Sequence, residues 1–154
     1  MDLQTDARIA TLKGIESSIK SALQLVKTKA IVKGKEKDDC ALLCIGNNCP
    51  NGDSMTCDSY MSPISPDDDY ILVSYGSLNS NTAMTSLKKI IETDSTLEYN
   101  SCGPAGNICI TLAGTPNKCC NFLGSNFPTE SDACMVHLWL YGQTTVVETL
   151  TGGC

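Results

Sequence analysis

Histidine and aromatic residues are scarce in this chain. Among its 154 residues there are one histidine, one tryptophan and two phenylalanines, and aromatic residues make up only 5%. A single histidine, His137, excludes a metal site built from several imidazoles and leaves one imidazole to activate a nucleophilic cysteine. No apolar run approaches the ~18 residues of a transmembrane helix. The sequence therefore excludes metal centres built from several histidines and offers no candidate transmembrane helix.

The common catalytic and nucleotide-binding motifs are also absent. The sequence contains no GxSxG, no GxxxxGK[ST] and no GxGxxG. His137 falls in a strand pattern of alternating residues, which favours a structural histidine over a catalytic one. We therefore expect no enzymatic activity, no catalytic residue and no cofactor.

Ten cysteines are the most unusual feature that is present. A reducing compartment would keep them all as thiols, so an even, high count predicts disulfides and an oxidising, extracellular location. Zinc binding is disfavoured, because the first four cysteines are irregularly spaced and lack paired CxxC knuckles. The cysteines predicted to form disulfides are Cys40, Cys44, Cys49, Cys57, Cys102, Cys109, Cys119, Cys120, Cys134 and Cys154.

The sequence favours some disulfide pairings without choosing among all of them. Cys134 and Cys154 bracket the last predicted hairpin, which favours either their pairing or a bridge from Cys154 to Cys119 or Cys120. The adjacent Cys119 and Cys120 are expected to bond different partners. The remaining connectivity stays open.

Residues 3–31 form the clearest periodic segment. The segment has no proline, and its apolar residues recur every three or four positions, which is typical of one face of an α-helix. Asp2 or Thr5 is suited to cap its start, and Lys33-Gly34-Lys35 to end it. At ~1.5 Å per residue the helix would be about 40 Å long, longer than a domain of this size needs. The face expected to pack in the core or in an assembly comprises Leu12, Ile15, Ile19, Ala22, Leu23 and Val26.

The rest of the chain predicts strands and one short helix. The predicted strands are residues 70–75, 96–99, 108–112, 136–141 and 144–150. Asn81 or Thr82 is suited to cap a short helix that continues to Glu92. A two-residue loop, Gly142-Gln143, joins the last two strands as a hairpin, and a Cys102–Cys109 bridge would staple the turn before residue 108.

These elements predict an α+β fold, in which a long N-terminal α-helix packs on an antiparallel β-sheet and the loops are rich in disulfides. We expect one domain over residues 1–154. Residues 1–34 would be the helix and residues 35–69 a variable, cysteine-rich loop. Residues 70–154 would hold the sheet, the small helix and a disulfide-closed C-terminal region.

Charge is divided unevenly along the chain, whose net charge is −6. Residues 1–37 carry eight basic and four acidic residues, whereas residues 38–154 carry three basic and thirteen acidic ones. The basic arm lacks dense clusters with interleaved aromatics, and the acidic body would repel phosphate, so we do not expect nucleic-acid binding. Either the arm is a solvated helix face, or its lysines 27, 29, 33 and 35 meet acids such as Asp67–Asp69 of neighbouring copies.

Acidic residues in two loops offer oxygen ligands for calcium. Neither residues 47–53 nor Asp67, Asp68 and Asp69 match the EF-hand pattern. We expect a solvated acidic turn and no metal site, with these three aspartates as the weak calcium candidates.

Residues 2–8, DLQTDAR, and four further segments of the predicted helix carry a family resemblance. The four segments are Leu12-Lys13-Gly14-Ile15, Ser21-Ala22, Leu25-Val26 and Lys29-Ala30. Together they resemble type IV pilins, most closely the mannose-sensitive-haemagglutinin type, and residues 70–91, with Ser74-Tyr75-Gly76, are similar in layout. In that family a hydrophobic N-terminal helix precedes such a segment and anchors the subunit in the membrane and later in the filament core. We expect this chain to be the soluble part of such a longer protein.

The resemblance implies a structural function on the bacterial surface. The subunit would be membrane-anchored before assembly, and the pilus assembly machinery would polymerise it through its N-terminal helices into an extracellular filament for adhesion to host or other surface ligands. A Cys134–Cys154 bridge is also implied, and the additional cysteines leave open whether the subunit is major or minor. The alternatives are a secretion-system pseudopilin, which calcium stabilisation would favour, and a freestanding disulfide-rich binding domain.

Overall fold

A computed structural model describes residues 2–57, 64–65, 67–91, 95–101, 106–115, 119, 133–141 and 143–154. Its helices and strands are α1 (Leu3–Val32), β1 (Ala41–Cys44), β2 (Ser54–Thr56), β3 (Tyr70–Ser74), β4 (Ser77–Leu78), α2 (Ala83–Ile90), β5 (Leu97–Ser101), β6 (Asn107–Leu112), β7 (Met135–Tyr141) and β8 (Thr144–Leu150). A short 3₁₀ turn, Ser80–Thr82, precedes α2. The fold is α+β with an N-terminal helix and antiparallel sheets, as the sequence predicted.

The strands form two four-stranded antiparallel sheets, in the orders β2-β1-β3-β4 and β5-β6-β7-β8. The sequence predicted a single sheet and placed a loop at residues 35–69, and both expectations were wrong. Ala41–Cys44 pairs with β2 on one side and β3 on the other. Three of its four residues are buried, so this short apolar run is a central strand.

Helix α1 begins and ends where the sequence predicted. The Asp2 carboxylate accepts a hydrogen bond from the Gln4 N–H at 3.3 Å and thereby caps the N-terminus. At the other end Gly34 has a φ of +65°, a left-handed conformation that glycine adopts without strain. In the described ranges no helix has the length and apolar content that crossing a bilayer requires.

One hydrophobic core joins the helix to both sheets. Helix α1 contributes Leu12, Ile19, Val26 and Ala30, which are fully or almost fully buried. The buried side chains that they join are Ala41, Leu43, Ile71, Val73 and Leu78 from the first sheet, Ala83 and Leu87 from α2, and Ile108, Ile110, Val136, Leu138, Leu140 and Val147 from the second. The buried stripe recurs every seven residues from Leu12 to Val26, so the straight helix keeps one face on the sheets.

Two tight turns bring chain segments toward α1. Ser74 pairs with Ser77, so Tyr75 and Gly76 form a two-residue hairpin loop, and both have positive φ, +50° and +76°. The Tyr75 N–H donates to the Asp38 carbonyl at 2.7 Å, which holds this uncommon tyrosine conformation in place. In the second turn Tyr141 pairs with Thr144, which confirms the predicted two-residue connection.

The short helix α2 starts one residue after its predicted cap. The Thr82 side chain makes no capping hydrogen bond, and instead Asn79 accepts from the Asn81 N–H at 3.0 Å, one turn earlier. Helix α2 ends at Ile90, and the predicted end at Glu92 lies outside the described residues. Its amphipathic face packs Ala83 and Leu87 into the core.

Candidate functional site

Four disulfides lie in the described part of the chain, which confirms the sequence-based expectation of cross-linking. They join Cys40 to Cys57, Cys44 to Cys49, Cys109 to Cys119, and Cys134 to Cys154. None of the cysteines described is a free thiol. This part of the molecule therefore offers no nucleophilic cysteine.

The bridge expected between Cys102 and Cys109 was wrong. Cys109 lies on β6 and bonds Cys119, ten residues further along the chain. Its side chain points to the face of the second sheet away from α1, where it packs with Met135 and Leu150. Cys102 and Cys120 lie outside the described residues.

The acidic turn proposed as a weak calcium candidate holds an ammonium group. Lys89 of α2 donates to the carbonyl oxygens of Ser65 and Asp68 at 2.8 Å and of Tyr70 at 2.9 Å, and to Asp68 Oδ1 at 3.0 Å. Partial burial alone would raise the pKa of the Asp68 carboxyl, but hydrogen bonds from Lys89 and the Tyr70 N–H hold that pKa below its ordinary value. Three carbonyl oxygens and one carboxylate oxygen thus surround a cation supplied by the chain itself.

The neighbouring Asp69 is engaged with the backbone of another loop. Its Oδ2 accepts hydrogen bonds from the N–H groups of Asn47 and Asn48, at 2.8 and 2.7 Å. The amide of Asn48 in turn donates to the Asp67 carbonyl at 2.6 Å. Within the described residues, no group of three or more His, Cys, Asp or Glu is arranged to hold a metal ion. Asp67 and Asp69 therefore connect the loop before β3 to the loop that contains Asn47 and Asn48.

Two of the four lysines expected to reach neighbouring copies bond acids of their own chain. Lys33 pairs with Asp53 at 2.8 Å and Lys35 with Asp38 at 3.1 Å. The hypothesis that lysines 27, 29, 33 and 35 reach Asp67–Asp69 of neighbours therefore loses two of its four lysines, and Asp68 and Asp69 are engaged as described above.

His137 is buried on β7 with both ring nitrogens near polar partners. Its Nε2 lies 2.6 Å from Asn107 Oδ1 on β6, and its Nδ1 lies 3.2 Å from Glu148 Oε1 on β8. The imidazole thus ties three adjacent strands together on the sheet face away from α1. Of the exposed and the hydrogen-bonded strand histidine that the alternating pattern allowed, the structure has the hydrogen-bonded one.

The residues predicted for the core or assembly face of α1 pack inside the chain. Leu12, Ile19 and Val26 are buried, and Ile15 and Leu23 are partly buried against the same core. Ala22 is intermediate in exposure. Five of the six residues therefore pack against the core of their own chain.

A cleft of about 520 Å³ opens between α1 and the two tight turns. One wall comes from a single helix face, with Lys20, Leu23, Gln24 and Lys27 at the spacing i, i+3, i+4, i+7. The other walls are polar: Gly76 and Ser77 from the β3–β4 hairpin and Gln143, Thr144 and Thr145 from the β7–β8 hairpin. Leu23 and Val147 supply its apolar part.

Of the two lysines that line the cleft, one has an ion-pair partner and the other does not. Lys20 forms an ion pair with Glu16, whose carboxylate also accepts a hydrogen bond from the Thr149 hydroxyl. The hydrogen bond from Lys20 and then that from Thr149 lower the pKa of Glu16 below its ordinary value. Lys27 lies on the same wall and has no ion-pair or hydrogen-bond partner among the described residues. The described lining therefore presents one unpaired ammonium and no carboxylate.

Comparison with protein-family models, with curated proteins and with solved structures finds no match for this chain.

The sequence predicted neither the oxygen atoms that surround the Lys89 ammonium nor the cleft. Lys89 is one of two consecutive lysines on a short helix, and nothing local separates it from Lys88, which lies 5.3 Å from the centroid of the Tyr99 ring. The cleft combines residues that are more than a hundred positions apart. The one available signal was the heptad recurrence of Lys13, Lys20 and Lys27, which places two of these lysines on the cleft wall.

Proposed function

We propose that this chain is the head of a type IV pilin-like subunit of an extracellular filament, with a structural role in surface attachment and no enzymatic activity. The observation that carries the proposal is the projecting start of α1. Its first buried side chain is Leu12, and none of residues 3–11 is buried. Seven of these nine residues are exposed and Thr5 and Ile9 are only partly covered, so the first turns of α1 bury little surface against the rest of the chain.

The projecting turns have little to stabilise them within the head. In proteins most helical stability comes from packing of an amphipathic face, and short unsupported helices are marginal in water. Leu3 is 87% exposed. An assembly that packs these turns against other subunits would supply the missing contacts, as expected for a filament subunit joined through its N-terminal helix.

The exposed side of α1 is also suited to contact another helix. Opposite the buried stripe, Ala7, Gly14, Ser21 and Thr28 recur every seven residues, and all four are exposed. Small side chains allow two helices to approach closely along ridges and grooves. Leu25, which is 70% exposed, adds apolar area near the same side.

The four described disulfides support an extracellular location. Disulfides persist where the environment is oxidising, and they limit local opening of loops that proteases would otherwise cut. Two of them, Cys40–Cys57 and Cys44–Cys49, secure the segment after α1, and Cys134–Cys154 closes the C-terminal segment. Of these bridges, Cys134–Cys154 has the position that the pilin resemblance implies, and the two after α1 are additional to it.

The proposal is tested on cells that produce the protein. Antibodies raised against the purified chain should label long surface fibres in immunogold electron microscopy, and mass spectrometry of sheared fibres should find the chain. Disruption of the gene should remove the label. Labelling confined to the cell envelope, or to secreted soluble material, would contradict the proposal.

A pair of variants tests the projecting turns directly. Ala7→Glu places a charge at an exposed position near the start of α1, so the isolated chain should keep its thermal stability while fibre yield falls. Lys88→Glu, at an exposed position on α2, is the matched control and should leave fibre yield unchanged. Equal fibre yields from both variants would remove the main support for the proposal.

A further inference from the structure

We propose that the cleft between α1 and the two hairpin turns binds a carboxylate-bearing saccharide, such as a uronic-acid residue of a surface polysaccharide. This inference deepens the filament proposal, because it names the ligand class that an adhesive head would hold. It starts from the charge of the cleft. The chain has a net charge of −6, yet the described lining carries Lys20 and Lys27 and no acidic side chain.

The unpaired ammonium of Lys27 favours a negatively charged ligand. Lys20 is neutralised by Glu16, whereas Lys27 has no such partner in the described part of the chain. At physiological salt, charges beyond about 8 Å are strongly screened, so the local lysine outweighs the distant acidic body. A carboxylate placed against Lys27 would form a charge-assisted hydrogen bond.

The remaining lining groups fit sugar hydroxyls. Ser77, Thr144 and Thr145 carry hydroxyls, and Gln24 and Gln143 carry amides. All five side chains both donate and accept hydrogen bonds, which matches hydroxyl groups that do the same. Within the described lining there is no arginine, the residue that most favours bidentate binding of phosphate. The donor set therefore favours a saccharide over a nucleic acid.

The shape of the cleft also agrees with this ligand. Its volume of about 520 Å³ lies within the range typical of small-molecule sites. Leu23, which is partly exposed, offers apolar surface for the carbon face of a sugar ring. The cleft opens to solvent, so one residue of a longer polymer can enter while its neighbours remain outside.

The two hairpin turns fix the polar walls. The β7–β8 connection is only two residues long, and the strands that it joins pair along seven positions from Met135–Leu150 to Tyr141–Thr144. The β3–β4 turn is equally short and is held by the Tyr75 N–H on the Asp38 carbonyl. Backbones tied in this way keep the lining groups in place before a ligand arrives, which lowers the entropic cost of binding.

The test measures binding of defined oligosaccharides to the purified, oxidised chain. The probe is a tetrasaccharide containing glucuronic acid, titrated by NMR at 50 mM and 500 mM salt, with cellotetraose as the neutral control. We expect millimolar binding of the acidic probe, at least fivefold weaker binding of the neutral one, and loss of affinity at high salt. Resonances of the cleft residues should shift, and those of the sheet face around His137 should not.

Variants assign the binding to the cleft. Lys27→Gln should weaken binding of the acidic probe about tenfold, because it removes the charge while keeping a side chain of similar length. Thr145→Val should weaken both acidic and neutral saccharides. Lys13→Gln is the matched control, since Lys13 is also exposed on α1 but lies outside the cleft, and it should change affinity less than twofold.

Several outcomes would overturn the inference: equal affinity for the neutral probe, no binding at 20 mM, or shifts that fall outside the cleft. Tighter binding of a single-stranded oligonucleotide or of a glutamate hexapeptide at the cleft would assign it to a different ligand class and also overturn it. The titration uses isolated chain, whereas fibre labelling uses cells. Failure of one is therefore distinguishable from failure of the other.

Discussion

The ammonium of Lys89 lies 3.0 Å from Asp68 Oδ1 in a site that is otherwise formed by backbone carbonyls. The two side chains are only 14% and 19% exposed. The interaction joins α2 to the loop before β3. An acidic turn that resembles a cation site in the sequence is thus saturated by a residue of the same chain.

Removing this lysine should destabilise the folded chain. Lys89→Met leaves the Asp68 carboxylate and three carbonyls without their donor, and we expect the free energy of unfolding to fall by about 3 kcal/mol. Lys88→Met is the control, because the exposed Lys88 contacts only the Tyr99 ring among the described interactions and should cost less than about 1 kcal/mol. Urea denaturation measures both. Equal losses would show that the oxygen atoms around Lys89 contribute nothing particular.

Acid should weaken the contact between α1 and β8. The hydrogen bonds from Lys20 and Thr149 lower the pKa of Glu16 from its ordinary value of 4.5. A group whose pKa is lowered in the folded state stabilises it above the unfolded pKa, and that stabilisation is lost as pH falls through the folded pKa. Glu16→Gln should therefore flatten the decline in stability below pH 4.5, measured by urea denaturation. Glu98→Gln, at an exposed position on β5, should retain the wild-type decline, and a wild-type profile in both variants would contradict this expectation.

The buried histidine should depend more on one neighbour than on the other. Asn107→Ala removes the partner 2.6 Å from His137 Nε2 and leaves a buried ring nitrogen without it, so we expect a loss of about 2 kcal/mol. Glu148 is half exposed, and water can replace its carboxylate, so Glu148→Gln should cost less than about 1 kcal/mol. Thermal melts compare the two. The reverse order would show that Glu148 is the main partner.

The disulfides should contribute in order of the loops that they close. Cys134–Cys154 spans 20 residues and Cys44–Cys49 only five. Chain entropy gives about 3 kcal/mol for the longer loop and about 2 kcal/mol for the shorter one. Paired serine variants, C134S with C154S and C44S with C49S, should show this order in guanidinium denaturation. A larger loss from the short loop would mean that native contacts, and not loop length, determine the effect.

Two glycines should respond to alanine in opposite directions. A Cβ on Gly46 would lie 2.3 Å from Asp69 Oδ2, displacing the carboxylate from the N–H groups that it accepts from, and we expect a loss of about 2 kcal/mol. A Cβ on Gly14 meets nothing within 4 Å, so Gly14→Ala should raise stability by about 1 kcal/mol through helix propensity. Differential scanning calorimetry of both variants checks the signs. A stabilised Gly46→Ala protein would show that the Asp69 contact is dispensable.

The sequence predicted best those elements whose start, periodicity and end are all encoded by neighbouring residues. Helix α1 was found within one residue at its C-terminal end because its periodicity, cap and glycine stop all lie in the same stretch of sequence. Strand β1 was missed because Ala41–Cys44 is only four residues long and gains its stability from pairing with strands more than ten residues away. The apolar run that continues to Ile45 was the available signal.

The site residues were harder to predict for the same reason. The oxygen atoms around Lys89 come from residues about twenty positions away, and three of the four are backbone atoms that leave no mark on side-chain patterns. The pairing of Cys109 with Cys119 likewise depends on how the chain returns to β6. The hairpin between Cys134 and Cys154 could be recognised locally, but it left open whether Cys154 bonds Cys134 or one of Cys119 and Cys120, and the structure has the first of these pairings.

That hairpin has a mechanical consequence. The short turn joins β7 and β8 at one end, and the Cys134–Cys154 bridge joins them at the other, so the two strands lie within one covalent ring. A load applied along the chain between residues 134 and 154 passes through this bridge, so it does not pull on the seven strand pairs inside the ring. The hairpin therefore keeps its pairing for as long as the bridge is intact.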